Sequence, residues 1–146
     1  METENLRCLS VDGVVVLGDT VVVMRRSHPP HEGDWVLPGG MVERDETASE
    51  ACEREVEEEI DLEVEAEEFV GLYDDPDRDE RGNVSAAYIC RRLEADEAAE
   101  PRPREEATEV KTVEVDETSS LTLGFDHAEI LSDASEILSE PETDPR

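Results

Sequence analysis

Arg54, Glu55, Glu58 and Glu59 fall in the stretch "REVEEEIDL" at residues 54–62, with the spacing of one helix face. At ~100° per residue, Glu55 and Glu59 form an i, i+4 pair, and Glu58 lies one position round, three residues from Glu55. On the same segment Ala48, Cys52, Val56 and Ile60 recur every four residues and predict a helix from about Asp45 to Ile60. Glu59 falls within the edge of that apolar arc and Glu55 borders it, while Glu50, Glu53 and Glu57 point away. A merely solvated face would carry its charges opposite the stripe. Carboxylates at a core boundary are costly unless paired or bound to a cation. Clustered at these intervals they also repel one another. A hard divalent cation such as Mg²⁺ relieves both, since it takes oxygen ligands and is commonly shared with substrate phosphates. The Gly39–Gly40 pair before the helix permits close backbone approach, and a carbonyl there offers another oxygen. Acidic helices are frequent in this chain, so spacing alone leaves a solvated face and a metal site both open.

The elements that must position these groups follow from the pattern. "LRCLSVDGVVVLGDTVVVMRR" reads as two β-branched runs about a Gly–Asp turn, a hairpin. "SHPPHEGDWVLPGG" is a Pro/Gly-rich loop with the sole tryptophan, Trp35, read as a packing anchor. "DLEVEAEEFVGLY" predicts a strand alternating through Leu62, Val64 and Ala66 toward Val70 and Leu72. "DDPDRDERGN" is a turn-rich loop, and "VSAAYICRRL" and "TEVKTVEVD" are further strands. Residues 94–107 form an acidic, proline-containing connection, expected to be the least ordered internal segment. Asp126 is the expected cap of a last helix with the stripe Ile130, Leu131, Ala134, Ile137 and Leu138. The order suits an α/β layered domain with helices on a mixed sheet.

Charge bounds the partners. The 146 residues hold 42 Asp plus Glu against 13 Lys plus Arg, a formal net charge of -29, and Lys111 is the only lysine. Such a chain is either disordered or a folded domain adapted to concentrated salt, where screening removes most self-repulsion. The apolar patterning favours the folded form, suited to a halophilic cytoplasm rich in potassium chloride. No basic patch is available for nucleic acid, so none is expected as a partner. A phosphate-bearing ligand would need cations as intermediaries. Cys8, Cys52 and Cys90 make no CxxC pair and read as small buried thiols of a reducing cytoplasm. No run is long enough to cross a bilayer and "METENLRCLS" lacks a signal pattern, so no membrane partner is expected. His28 and His31 flank two prolines without metal-partner spacing, and His127 reads as structural or near a dimer contact.

Gly40, Glu46, Arg54–Glu55–Val56, Glu58–Glu59 and Leu62, in that spacing, resemble the Nudix box of the Nudix hydrolases. One position departs, with Asp61 where the family has glycine; Asp tolerates the left-handed conformation of a helix terminator. The resemblance implies an α/β/α sandwich with a mixed central sheet, a single domain over 1–138 and a disordered tail over 139–146. It also implies hydrolysis of a nucleoside diphosphate linked to another group, using Mg²⁺ or Mn²⁺. Carried over, Glu55, Glu58 and Glu59 ligate metal with the Gly40 carbonyl assisting, and Arg54 orients the glutamates. The general base stays open between Glu58 and the later Glu105, Glu106 and Glu109.

"SHPPHEGDWVLPGG", "GLYDDPDRDERGNVSAAYI" and "LGFDHAEIL" resemble the ADP-ribose pyrophosphatase group, which implies ADP-ribose as substrate and allows a homodimer. Arg25, Arg78 and Arg81 are useful donors for phosphate or ribose oxygens in so acidic a chain, and Arg25 and Arg81 are taken as substrate-binding. Two alternatives stand beside this reading. One is a pyrophosphohydrolase of oxidised nucleoside triphosphates of the 8-oxo-dGTP type, and the other is a non-catalytic sensor of a nucleotide-sugar.

Overall fold

Six consecutive buried residues, 11–16, place strand β1 (Leu9–Leu17) at the centre of the molecule. A strand covered on both faces is buried along its length, and here the run is apolar apart from Asp12. The structure is a computed structural model that describes residues 2–93, 95 and 98–140. β1 turns at Gly18–Asp19 into β2 (Thr20–Arg26), as the hairpin signal predicts. The chain continues through β3 (Trp35–Val36), β4 (Gly39–Met41), helix α1 (Ala48–Ile60), β5 (Val64–Tyr73), β6 (Val84–Arg92), β7 (Ala107–Glu114) and helix α2 (His127–Ser139). The sheet runs β3-β2-β1-β6-β5, with β4 also on β1 and β7 also on β2. β1 and β6 are parallel, and the other pairs are antiparallel.

The pleat of β1 and β2 divides the core between two helices. Val11, Val15, Val22 and Met24 pack with Ala51, Cys52, Val56 and Ile60 of α1. Val14, Val16, Val21 and Val23 pack with Ile130, Leu131 and Ala134 of α2. Two helices therefore cover opposite faces of a mixed sheet, the α/β/α sandwich expected. Gly13 permits this closeness, since a Cβ there would lie 2.9 Å from Val56 and 3.3 Å from the Cys52 sulfur.

Several expectations need correction. α1 begins at Ala48, three residues after the expected start near Asp45, because a capping box starts it. The Thr47 hydroxyl accepts the Glu50 N–H at 3.2 Å, and the Glu50 carboxylate accepts the Thr47 N–H at 2.8 Å. The "DWVLPGG" loop contains β3 and β4, two strands too short to show a period. β5 carries two register shifts, after Ala66 and after Phe69, and Phe69 and Leu72, paired with Tyr88 and Ala86 on the α1 face, are over half exposed. Asp126 stands at the N-cap of α2 without a side-chain capping bond, because its carboxylate is taken by Arg78. Cys8 is exposed; Cys52 and Cys90 are buried thiols with sulfurs 3.6 Å apart.

Of the tail expected over 139–146, Ser139 is helical and the Glu140 N–H donates to the Ile137 carbonyl. Residues 141–146 lie outside the described residues, as do Glu94, Asp96 and Glu97 of the connection. The part of that connection the structure describes is tied down. The N–H groups of Arg102 and Arg104 donate to the carbonyls of Ile60 and Glu59 at 2.8 and 2.9 Å. It thus caps the C-terminus of α1 and leads directly to Glu106. Among the described residues, no helix is long and apolar enough to cross a membrane.

Candidate active site

The C-terminal half of α1 carries three glutamates into different environments. Glu59 is 1% exposed; one carboxylate oxygen accepts the Gly39 N–H at 2.8 Å. The other, Oε2, is buried and has no hydrogen-bond partner among the described residues. Burial pushes its carboxyl well above the usual range against the pull of the Gly39 amide, and Glu55, Glu106 and Asp12 add to the rise. Glu55 is half-buried and pushed up to about 6, chiefly by desolvation, with Arg54 opposing. Glu58 is more open, and Glu57 is exposed.

Arg54 gathers the cluster. Its guanidinium is held bidentate by Glu46 at 2.6 and 3.0 Å and donates to the Met41 carbonyl at 2.9 Å. From that anchored position Nη1 reaches Glu55 at 2.8 Å and Glu58 at 3.2 Å. The chain ends the helix one residue after Ile60, where Asp61 takes the left-handed conformation (φ 55°, ψ 43°) and its N–H donates to the Glu57 carbonyl. Asp61 thus serves the backbone in the place where the family has glycine.

Gly40 faces the same cluster from β4. A Cβ at this position would collide with the Glu55 carboxylate, so any larger residue would displace it. One orphaned carboxylate oxygen, a neighbouring carboxyl with raised affinity for protons, and a backbone stripped of side chains form a donor set fit for a hard divalent cation. Among the described residues, no three His, Cys, Asp or Glu side chains are already drawn around one point as ligands. Arg54 instead covers oxygens of Glu55 and Glu58 that a cation would have to attract.

Beside the glutamates opens a cleft of about 160 Å³ that is open to solvent. Gly39, Gly40 and Glu106 form the wall it shares with the cluster; Arg26, Arg81, His28 and Phe125 stand within it. The two guanidiniums lie 5.4 and 5.6 Å from the Phe125 ring. Burial lowers the Arg26 pKa, and the nearby Arg81 charge lowers it further. Arg81 is oriented by Asp79, which accepts from both Nε and Nη2 at 3.0 and 2.9 Å. Arg26 and Arg81 thus share one opening with Glu106, and the glutamates of α1 stand behind its Gly39–Gly40 wall, an arrangement suited to an anion bridged by a cation.

The structure does not bring every expected residue here. Arg25 lies outside the cleft lining, paired with Glu109 at 2.9 Å and set 5.2 Å from the Trp35 ring. Strand alternation is the reason: Val22, Met24 and Arg26 share one face of β2, so Arg25 points to the other. The continuous apolar run Val21–Met24, buried on both faces, carries no signal that would have picked Arg26 over Arg25. Arg78 does reach the cleft lining, but its guanidinium is committed to a bidentate pair with Asp126 at 2.7 Å and to the Asn83 carbonyl. Of the later glutamates, Glu106 alone lines the cleft. His28 lies beside it, Nε2 3.7 Å from the Glu106 carboxylate. His127 is buried, as a structural role requires.

Comparison with known proteins places this geometry. The family model described as "NUDIX domain" matches residues 7–134. The chain is 32% identical over 126 residues to a protein of Methanocaldococcus jannaschii named ADP-ribose pyrophosphatase, covering 86% of this chain and 71% of that one. A MutT/nudix family protein from Enterococcus faecalis superposes with a TM-score of 0.78 at 25% identity, over 97% of this chain and 66% of that one. The NUDIX domain of Shewanella oneidensis NrtR, solved in complex with ADP ribose, superposes with a TM-score of 0.77 at 24% identity, over 92% and 90%. At that last identity the likeness is one of fold.

Proposed function

The chain belongs to the NUDIX domain family, and we propose that it hydrolyses ADP-ribose to AMP and ribose 5-phosphate with Mg²⁺ or Mn²⁺. The observation that carries the reading is the buried, unpartnered oxygen of Glu59 beside Glu55 and the bare Gly40 backbone. Glu55, Glu58 and Glu59, with the Gly40 carbonyl, would hold the cation. A divalent ion there supplies charge neutralisation and Lewis acidity at the pyrophosphate. Arg54, fixed by Glu46, keeps Glu55 and Glu58 aimed at the opening. Arg26 and Arg81 bind phosphate or ribose oxygens from the other wall. A water adds to phosphorus, the bridging P–O bond breaks, and the water's proton passes to the Glu106 carboxylate. Glu106 suits that task because the capped C-terminus of α1 holds its segment at the cleft.

ADP-ribose is preferred because the Methanocaldococcus relative of that name matches across most of this chain. The test is turnover in concentrated potassium chloride with Mg²⁺ and a panel of ADP-ribose, NADH, diadenosine polyphosphates and 8-oxo-dGTP. AMP and ribose 5-phosphate should appear from the first. Tight ADP-ribose binding without turnover of any compound would identify a sensor, and turnover of 8-oxo-dGTP alone a sanitising enzyme. The same reading puts the enzyme in a salt-rich cytoplasm, with circular dichroism gaining folded signal as potassium chloride is added. Full folding at very low salt, unchanged by potassium chloride, would contradict that.

A further inference from the structure

Beneath the cleft lies a buried polar network that the proposed chemistry leaves unused. His127, the first residue of α2, is 3% exposed and bonded on both ring nitrogens. Nδ1 accepts the Leu37 N–H at 2.9 Å, so the ring hydrogen sits on Nε2, 3.2 Å from an Asp12 oxygen. The other Asp12 oxygen accepts the Ser85 hydroxyl, and Arg78 stands 3.9 Å away.

What this network holds is the backbone in front of the glutamates. Leu37 begins the run Leu37–Pro38–Gly39–Gly40. The Pro38 carbonyl accepts the Gly13 N–H at 2.8 Å, and the Gly39 N–H is the one partner of the Glu59 carboxylate. Asp12 pairs with Gly39 in the β1/β4 register, and a Cβ on Gly39 would strike both Asp12 and the Val11 carbonyl. β4 has only three residues, too few to hold its own position. Its placement depends on what grips the residues on either side.

We propose that His127 is a positioning residue for the cation site, acting through the Leu37 amide to set the Gly39–Gly40 backbone against Glu59 and Glu55. This rests on the reading of those glutamates as cation ligands. It makes the last helix, far along the chain from the box, part of the site's geometry, much as outer partners orient ligands in known metal centres.

The two ring nitrogens can be separated by substitution. The His127→Asn amide oxygen replaces Nδ1 and keeps the Leu37 bond; the His127→Gln amide nitrogen replaces Nε2 and keeps the Asp12 bond. Mn²⁺ binding, followed by electron paramagnetic resonance in concentrated potassium chloride, reads the site without turnover. Thermal melts of the metal-free variants report any general loss of fold. His127→Asn should bind within about threefold of the unchanged protein, and His127→Gln at least ~10-fold more weakly. Equal affinities for the two variants, or tighter binding by His127→Gln, would overturn the proposal. If the unchanged protein bound no Mn²⁺, the cation reading itself would fall instead.

Discussion

Glu59 and Asp12 are both buried carboxylates, less than one strand apart in the fold, and they are treated in opposite ways. Asp12 has His127, Ser85 and Arg78 around it; burial raises its pKa, but these partners win and hold it below the usual carboxylate range. Glu59 has one backbone amide and an empty oxygen, and burial wins. A buried acid whose oxygens are all answered is architecture, since its charge fastens elements together. A buried acid with an oxygen left over costs stability without fastening anything, and such a cost persists where a ligand relieves it. The contrast separates scaffold from site within a chain that is acidic almost everywhere.

Substitutions can break this contrast, starting from its sharpest edge. Glu59→Gln should lower turnover by at least ~100-fold, beyond the range usual for outer partners of a metal. Its metal-free melting temperature should hold or rise, because a poorly solvated charge has been removed. Asp12→Asn should do the reverse to stability, costing about 3 kcal/mol in denaturant unfolding by leaving Arg78 and His127 poorly answered.

The pH dependence of that second variant sharpens the point. The folded pKa of Asp12 lies below its unfolded value, so its contribution is present above about pH 4 and lost as pH falls through the folded pKa. Unfolding titrations should therefore show a shallower acid decline in Asp12→Asn than in the unchanged protein. A parallel decline would remove Asp12 from the account of the fold.

A smaller effect separates neighbours on one strand. Arg26→Ala should raise KM by about tenfold, the loss of one charge-assisted hydrogen bond, while Arg25→Ala should leave it within about twofold. Glu57→Gln, on the exposed side of α1, should change neither turnover nor stability measurably.

These neighbours also show what a sequence reveals and what it hides. The hairpin, the face of α1, the place of Glu59 at the edge of the core and the terminator role of Asp61 were legible, because helical period and turn chemistry are local. β3 and β4 were not, since two or three residues amid Pro and Gly carry no period. The two register shifts of β5 were not legible either: they cancel, so Leu72 keeps the face of Val64 and Ala66, yet it is over half exposed, and nothing local in "AEEFVGL" announces a bulge. Arg26 was hidden beside Arg25 because Val21, Val22, Val23 and Met24 are all buried and all apolar, so the run does not say which arginine shares the face of the site. The partners of Asp12 come from three distant segments, and only the fold assembles them. Asp126 was expected to cap α2, yet a distant arginine claims its carboxylate.

On the proposed reading the orphaned Glu59 oxygen belongs to a divalent cation. Isothermal titration of Mn²⁺ into the unchanged protein, Glu59→Gln and Glu57→Gln, in concentrated potassium chloride, tests it without recourse to any substrate. The account predicts saturable binding to the unchanged protein and Glu57→Gln with equal affinity, and its loss in Glu59→Gln. Binding by Glu59→Gln as tight as that of the unchanged protein would contradict it.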